Sequence, residues 1–391
     1  MKKIIFILSI LSFTLFGADY LVANKKVNLD TIKESNYLYV NAKDLEKLGL
    51  SVKITGNKVS LGNKEVNFDF ADKKVSVNKK SQNLSNGILK KNNKTYVDFP
   101  FVLEVLNYEL KGNSITKIKD FTFPIKEEKY QVTKTSKRIV SLAPGVTEKL
   151  FDLGVISYLV GRTDYCIYPS QVANIPSIGT MFSPNVEKII ELKPTLVIAE
   201  THFNEKVLNK LREAGIEVFA INSPNNFNEM YDFIKKLGFI TGEDYQARAI
   251  VGSLKNKVDR TKFVLKDVKV KPKAYYAIGA GMGDYTAGQD TFIAELIRTA
   301  GGINVGDQVK GWTFSLEKLI ESNPNVIFGP KYSIDTMTTN NSYKGLSAIK
   351  NKNYFVVDEN IFNLSGPRLI NEGLKILVTS FHKEKVKELG F

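Results

Sequence analysis

The chain has 391 residues, 43% hydrophobic and 25% charged, with 12 Pro and 27 Gly; these proportions exclude a fibre or a disordered chain and leave length for two or three compact units. One cysteine, Cys166, and two histidines, His202 and His382, exclude an internal disulfide, a cysteine-cluster zinc site and an iron–sulfur centre. The formal charge of +14 is dispersed, with 18 Lys against 12 acidic residues between Asp19 and Asp120, so the clustered basic stripe of a nucleic-acid surface is missing and no nucleic-acid partner is expected.

At the N-terminus, Lys2 and Lys3 precede the apolar run Ile4 to Phe16 and the small residues Gly17 and Ala18. This predicts a secretory signal peptide over residues 1–18, because the run falls short of the roughly 20 residues of a membrane-spanning helix. No cysteine stands just after it, so a lipid anchor is not expected and the mature chain is placed in the periplasm. Residues 19–120 read as a small β-rich α+β accessory domain built from an internal repeat. Tyr39-Val40, Leu45-Glu46-Lys47-Leu48 and Gly56-Asn57-Lys58-Val59 recur as Tyr96-Val97, Leu103-Glu104-Val105-Leu106 and Gly112-Asn113-Ser114-Ile115. Each copy predicts strand, short helix, turn and strand. The pattern resembles the N-terminal accessory domain of copper amine oxidases, but with no His or Cys here it implies no copper, and a spacer is the expected role.

Residues 121–136 are charged, lack helical period and are expected to be a linker with room for an edge strand. From Arg138 the chain alternates strand and helix. Arg138–Leu142, Tyr158–Gly161, Thr195–Ala199 and Ile216–Ile221 are predicted strands, and Thr147–Leu153, Asn185–Leu192, Asn204–Ala214 and Asn228–Leu237 predicted helices. Such alternation makes a parallel sheet covered on both faces. Apolar residues at helical spacing from Ala247 to Val264 predict one long helix over Asp244–Leu265. After Pro272 the alternation resumes, with strands at Lys273–Ile278, Val326–Phe328 and Tyr354–Val357 and helices at Phe292–Thr299, Leu316–Glu321 and Pro367–Phe381. The fold class is α/β, with lobes at 137–243 and 269–391 and a connecting helix at 244–268.

An ordered series of motifs runs through both lobes: Arg138-Ile139-Val140-Ser141-Leu142-Ala143-Pro144, Thr147-Glu148, Gly161 to Pro169, Ile175-Pro176-Ser177-Ile178-Gly179, Asn185-Val186-Glu187-Lys188-Ile189, Tyr285-Thr286-Ala287-Gly288, Trp312, Ser315-Leu316-Glu317-Lys318-Leu319 and Ser365-Gly366-Pro367-Arg368. It resembles the metal-chelate and cobalamin class of substrate-binding proteins that feed ABC importers. The resemblance implies two Rossmann-like lobes joined by a single long helix, a ligand held between them, and one glutamate on each lobe that engages arginines of an ABC permease. The glutamates assigned on this basis are Glu148 and Glu317.

Loops at the carboxyl ends of the strands are the expected ligand side of such sheets. They carry Tyr165, Tyr168, Thr180, Met181, Phe182, His202, Tyr285, Trp312, Phe362 and Arg368, a set rich in the aromatic groups that suit a large chelate. Cobalamin leads, because Thr163 to Pro169 looks most like the cobalamin branch. A ferric siderophore is second, with Arg162 and Arg368 the expected arginines. Haem is third, because Thr180 follows Gly179 where haem receptors often place a tyrosine. Neither a catalytic residue, a resident cofactor nor a protein-held metal is expected, and the chain is taken as a monomer. Of the rival readings, an exported hydrolase is disfavoured because Gly279-Ala280-Gly281-Met282-Gly283 lacks the third glycine of a dinucleotide fingerprint and no Gly-x-Ser-x-Gly elbow occurs, and a structural envelope protein would explain the N-terminal repeat but not the motif series in both lobes.

Overall fold

The computed structural model describes residues 14–35, 37–201, 203–281 and 284–391, and the chain divides into two compact units at Lys119/Asp120. The expected signal peptide lies outside the described residues as far as residue 13. Thr14–Ala18, the remainder of the expected leader, belong to a strand, Thr14–Val22, that pairs in antiparallel register from Thr14↔Lys33 to Val22↔Lys25.

In the first unit the repeat is visible as predicted. Tyr37–Asn41 leads into a 3-10 helix, Ala42–Leu48, and the hairpin Ser51–Thr55 and Lys58–Gly62; Lys94–Asp98 leads into the helix Phe99–Val105 and the hairpin Tyr108–Lys111 and Ser114–Lys117. The leading strands of the two copies pair antiparallel, Val97 opposite Val40. Each helix is capped by the residue before it, Asn41 accepting from Lys43 N and Asp98 from Phe101 N. Asn24, Asn78, Asn92, Asn93 and Asn107 all have positive φ, so the asparagine-rich composition supplies the left-handed turn positions that other side chains resist. Strand Asn67–Ala71 alternates, with Phe68 and Phe70 inside and Asn67, Asp69 and Ala71 outside.

The second unit begins inside the stretch read as a linker with room for an edge strand. Ile125–Glu127 and Tyr130–Val132 form a hairpin whose second strand pairs with Glu217–Ile221, Gln131 opposite Val218. The edge strand allowed for in residues 121–136 is thus present, and as a hairpin it forms the antiparallel margin of the first lobe's sheet, with Ile125, Tyr130 and Val132 buried. Strands of three residues carry too little periodicity to stand out from a charged stretch.

That sheet continues through Glu217–Ile221, Leu196–Glu200, Ile139–Ser141 and Leu159–Arg162, all parallel. The second lobe repeats the order: Ile303–Asn304, Lys273–Tyr276, Val326–Gly329 and Tyr354–Val356, again parallel. In each lobe the first strand lies between the second and the third. Leu196–Glu200 is buried at every position, as a parallel strand covered on both faces must be.

The connecting helix spans Asp244–Leu265. It packs on the helix Phe227–Thr241, where a Cβ on Gly238 would lie 2.3 Å from that of Ala247, so glycine is needed for the two backbones to approach. One apolar cluster runs from Ile139 and Leu150 through Val251 and Leu254 to Leu296 and Leu374, joining the lobes through a continuous close-packed core. The expected final helix is divided into a π turn, Leu369–Gly373, and an α-helix, Leu374–Phe381. A helix at Lys331–Thr339 was not anticipated; its run of Thr, Ser and Asp has weak helix propensity. Among the described residues no helix is long and apolar enough to cross a membrane.

Candidate ligand-binding site and lobe junction

The carboxyl ends of the two sheets meet at one junction. The first lobe contributes the helix Pro144–Asp152, which starts just after the strand Ile139–Ser141 with Pro144 in its first turn. Its Lys149 is fully buried, with Nζ 3.2 and 3.3 Å from the Glu200 carboxylate and 4.9 Å from the Phe233 ring centre. Glu200 ends the strand Leu196–Glu200 and also accepts from Ser365 Oγ of the second lobe at 3.3 Å. Gly145 permits this approach, since a Cβ there would sit 2.6 Å from Glu200 Oε2. A second tie joins the lobes at Phe227 N, which donates to Glu295 Oε2 at 2.8 Å. The crevice where the first lobe's strand order reverses is thus closed by a buried ion pair and by the other lobe.

The loops that follow the strands of both lobes carry exposed aromatic rings. In the first lobe Tyr165 and Phe182 meet edge to face at 6.1 Å, 46% and 59% exposed. In the second, Tyr285 and Trp312 are also exposed. Tyr285 sits on a two-residue strand opposite Thr313, and Trp312 leans on Phe292 at 6.3 Å while its carbonyl accepts from Thr286 N. Tyr332, which the sequence reading did not select, is another exposed ring and donates from Oη to the Ile278 carbonyl. Thr180 and Met181 are half-buried beside Phe182, and Thr180 Oγ1 accepts from Ser183 N. His202 lies outside the described residues. The loop after Lys273–Tyr276 is pinned by Tyr343, whose Oη accepts from Gly281 N and donates to the buried Asp284.

Four assignments are corrected by packing. Phe362 is fully buried against Tyr276 and Phe328, at 5.9 and 5.6 Å, so it is core and offers a ligand nothing. Arg368 is only 13% exposed; its guanidinium holds Glu148 at 3.2 Å and Glu372 at 3.1 Å and lies 4.0 Å over the Tyr168 ring, so both arginine and tyrosine are engaged by protein. Glu148 is buried beneath that arginine, because the motif carrying it faces the junction and not an outer tip. Arg162 donates to the Val172 and Thr163 carbonyls, and Cys166 is buried against Thr163.

Residues 139–361 match the family described as periplasmic binding protein, and residues 13–118 match the copper amine oxidase N-terminal domain. The chain belongs to the periplasmic binding protein family. It is 29% identical over 290 residues to an uncharacterized ABC transporter substrate-binding lipoprotein of Bacillus subtilis, covering 71% of this chain and 91% of that one. It is 26% identical to a cobalamin-binding protein of Halobacterium salinarum, over 64% and 70% of the two chains. A solved structure from Staphylococcus epidermidis, a possible iron-binding periplasmic solute-binding protein, is 29% identical with a TM-score of 0.56, covering 63% of this chain and 99% of that one. The family is one of binding proteins, not of enzymes.

A periplasmic binding protein with two like lobes presents like surfaces, and here they are helices of matched sequence. Asn185-Val186-Glu187-Lys188-Ile189-Ile190-Glu191 in the first lobe corresponds to Ser315-Leu316-Glu317-Lys318-Leu319-Ile320-Glu321 in the second. Asn185 caps one helix through Lys188 N and Ser315 the other through Lys318 N. Glu187 and Glu317 are exposed in the first turns, and Ile190 and Ile320 are exposed one turn on. The Glu317 carboxyl is held below its usual range by its own backbone N–H and the Ser315 hydroxyl, so it stays charged. Glu187 was missed as a partner of Glu317, although the internal sequence match alone was enough to reveal it.

Burial raises the Glu148 carboxyl to about 7 against the pull of Arg368 and Lys149, with Asp152 adding repulsion. Burial likewise raises Asp152 to about 7 against Lys149 and Arg368, with Glu372 opposing them. Both values exceed those of the unfolded chain, so the native state holds extra protons below pH 7 and loses that advantage as pH rises through 7. The melting temperature of the receptor unit is therefore expected to fall by roughly 2–8 °C between pH 6 and pH 8. Glu148→Gln should flatten part of this slope; scanning calorimetry across that range checks it, and an unchanged slope in the variant removes Glu148 as a source.

Proposed function

We propose that this protein is an exported receptor, working in the periplasm, that captures a bulky metal chelate between its lobes and delivers it to an ABC importer permease, with cobalamin the favoured ligand. The observation that carries the reading is the set of exposed rings at the carboxyl ends of both sheets, Tyr165 and Phe182 on one lobe and Tyr285, Trp312 and Tyr332 on the other. Exposed aromatic rings on the strand-end loops of both lobes, two of them in edge-to-face contact, support a ligand site there, and rings from two lobes suit a broad ligand with apolar faces and a polar rim. The cobalamin-binding relative supports the ligand class.

A ferric chelate is the second reading, favoured by the iron-binding description of the Staphylococcus epidermidis structure. An anionic siderophore loses support because Arg162 and Arg368 are both occupied by protein acceptors. Haem keeps the third place, since Thr180 follows Gly179.

The test is a thermal-shift screen with cyanocobalamin, cobinamide, haem and several ferric siderophores at stoichiometric concentration, where a tight ligand raises the melting temperature by mass action. Cyanocobalamin is expected to give the largest rise. Trp312→Ala should then weaken its binding roughly tenfold, about 1.4 kcal/mol, measured by calorimetry. A rise with haem or a ferric siderophore alone reassigns the ligand, and no rise with any probe refutes the receptor reading.

A further inference from the structure

We propose that Arg368 is a positioning residue: with Glu148 and Tyr168 it forms a lock across the lobe junction that sets the angle between the lobes and holds the loop from Thr163 to Pro169 in its binding pose. The three groups come from separate parts of the receptor unit. Glu148 stands on the helix Pro144–Asp152 of the first lobe, Tyr168 on the loop after the strand Leu159–Arg162, and Arg368 immediately before the π turn Leu369–Gly373 of the second lobe. Arg368 Nη1 donates to Glu148 Oε1 at 3.2 Å, and its guanidinium covers the Tyr168 ring at 4.0 Å. Tyr168 is backed on its edge by Phe151 of the same first-lobe helix, at 6.0 Å.

A brace for the last helix would need only the contact between Arg368 Nε and Glu372 one turn on. The pairing with Glu148 and the stacking on Tyr168 do nothing for that helix, and both cross to the other lobe. A planar guanidinium can do both at once, donating in its plane while its face lies on a ring, which an ammonium cannot. Because the pair is nearly dry, with side chains 13% and 4% exposed, separating the lobes there would leave a buried charge without its partner. Tyr165, an exposed ring of the candidate site, lies three residues before Tyr168 on the same loop. The arginine thus ties the ligand-facing loop of one lobe to the body of the other.

The lock stands independently of the ligand, whereas its effect on ligand release rests on the proposed function. The test places nitroxide labels at Lys188→Cys and Lys318→Cys, one exposed site on each lobe, in the full chain with Cys166→Ala, and reads the distance distribution by pulsed spin-resonance spectroscopy without ligand. Glu148→Ala and Arg368→Gln are expected to broaden or lengthen the distribution. Glu148→Gln, which keeps an acceptor oxygen, should retain the wild-type distribution, a rescue that general loss of stability would not produce. With cyanocobalamin as probe, Arg368→Gln and Tyr168→Leu are each expected to speed dissociation about tenfold. If Arg368→Gln does not fold, Glu148→Ala, which leaves Arg368 paired with Glu372, decides the matter. Distance distributions unchanged in the folded variants overturn the lock. Failure of the wild-type chain to bind cyanocobalamin counts against the ligand assignment alone, because the spin-label arm still reads the lobe angle.

Discussion

Glu187→Ala combined with Glu317→Ala is expected to abolish import while ligand affinity stays within about twofold of wild type. The two carboxylates occupy the same place on matched helices, each exposed in a first turn behind a capping side chain. The Glu317 carboxyl is held below its usual range by its own backbone N–H and the Ser315 hydroxyl, and the helix N-terminus favours negative charge at both positions. A charged hydrogen bond to a partner arginine contributes roughly 1.5–3 kcal/mol, so losing two weakens docking by about two to four orders of magnitude. Each single variant should lose about half of that free energy. Both glutamates are solvent-exposed on helices that open each lobe's third strand unit, so ligand affinity has no reason to follow. The measurement is uptake of labelled cyanocobalamin in cells lacking their own receptor, beside calorimetry on the purified chain. Wild-type uptake by the double variant would reject the assignment, as would uptake lost only in proportion to affinity.

Lys149→Met should produce the largest loss of stability of any single change considered. Its ammonium is the sole cation in contact with the Glu200 carboxylate among the described residues, and it is fully buried. Removing one member of a buried pair costs about 3–5 kcal/mol, because the other charge stays behind without compensation. For a unit of this size that is a drop of roughly 6–20 °C in melting temperature. Lys149→Met with Glu200→Gln should recover much of the loss, since the residual amide can still accept from Ser365. Calorimetry of the full chain, following the transition of the receptor unit, reads both variants. A single variant as stable as wild type would show that Glu200 reaches solvent or is neutralised in some other way.

Much of the architecture was legible because it depends on local pattern. The connecting helix was predicted at its observed bounds, since twenty-two residues of helical period with few breakers leave little alternative. The same holds for the accessory repeat, whose Gly56 and Gly112 turns share a φ of 58°. An edge strand within 121–136 was allowed for, but the hairpin at 125–132 and its partner were not legible, because its three-residue strands are stabilised by pairing with Glu217–Ile221. Exposed aromatic rings were anticipated at Tyr165, Phe182, Tyr285 and Trp312, but aromatic character cannot distinguish them from Phe362. That ring is held in the core by Tyr276 and Phe328, neighbours distant in the chain.

Glu148 marks the boundary most clearly. By itself the sequence determined the two-lobed α/β class and the connecting rod, because hydrophobic period and capping residues are properties of adjacent residues, whereas the glutamate it paired with Glu317 was Glu148 and not Glu187 on the matched helix. Only the tertiary structure decided which glutamates face solvent. The Thr147-Glu148 pair and the Glu187 helix look alike as charged first or second turns, and burial follows from what packs against them. For Glu148 that is an arginine more than two hundred residues away in the chain, and the balance of desolvation against that one guanidinium cannot be read from local pattern.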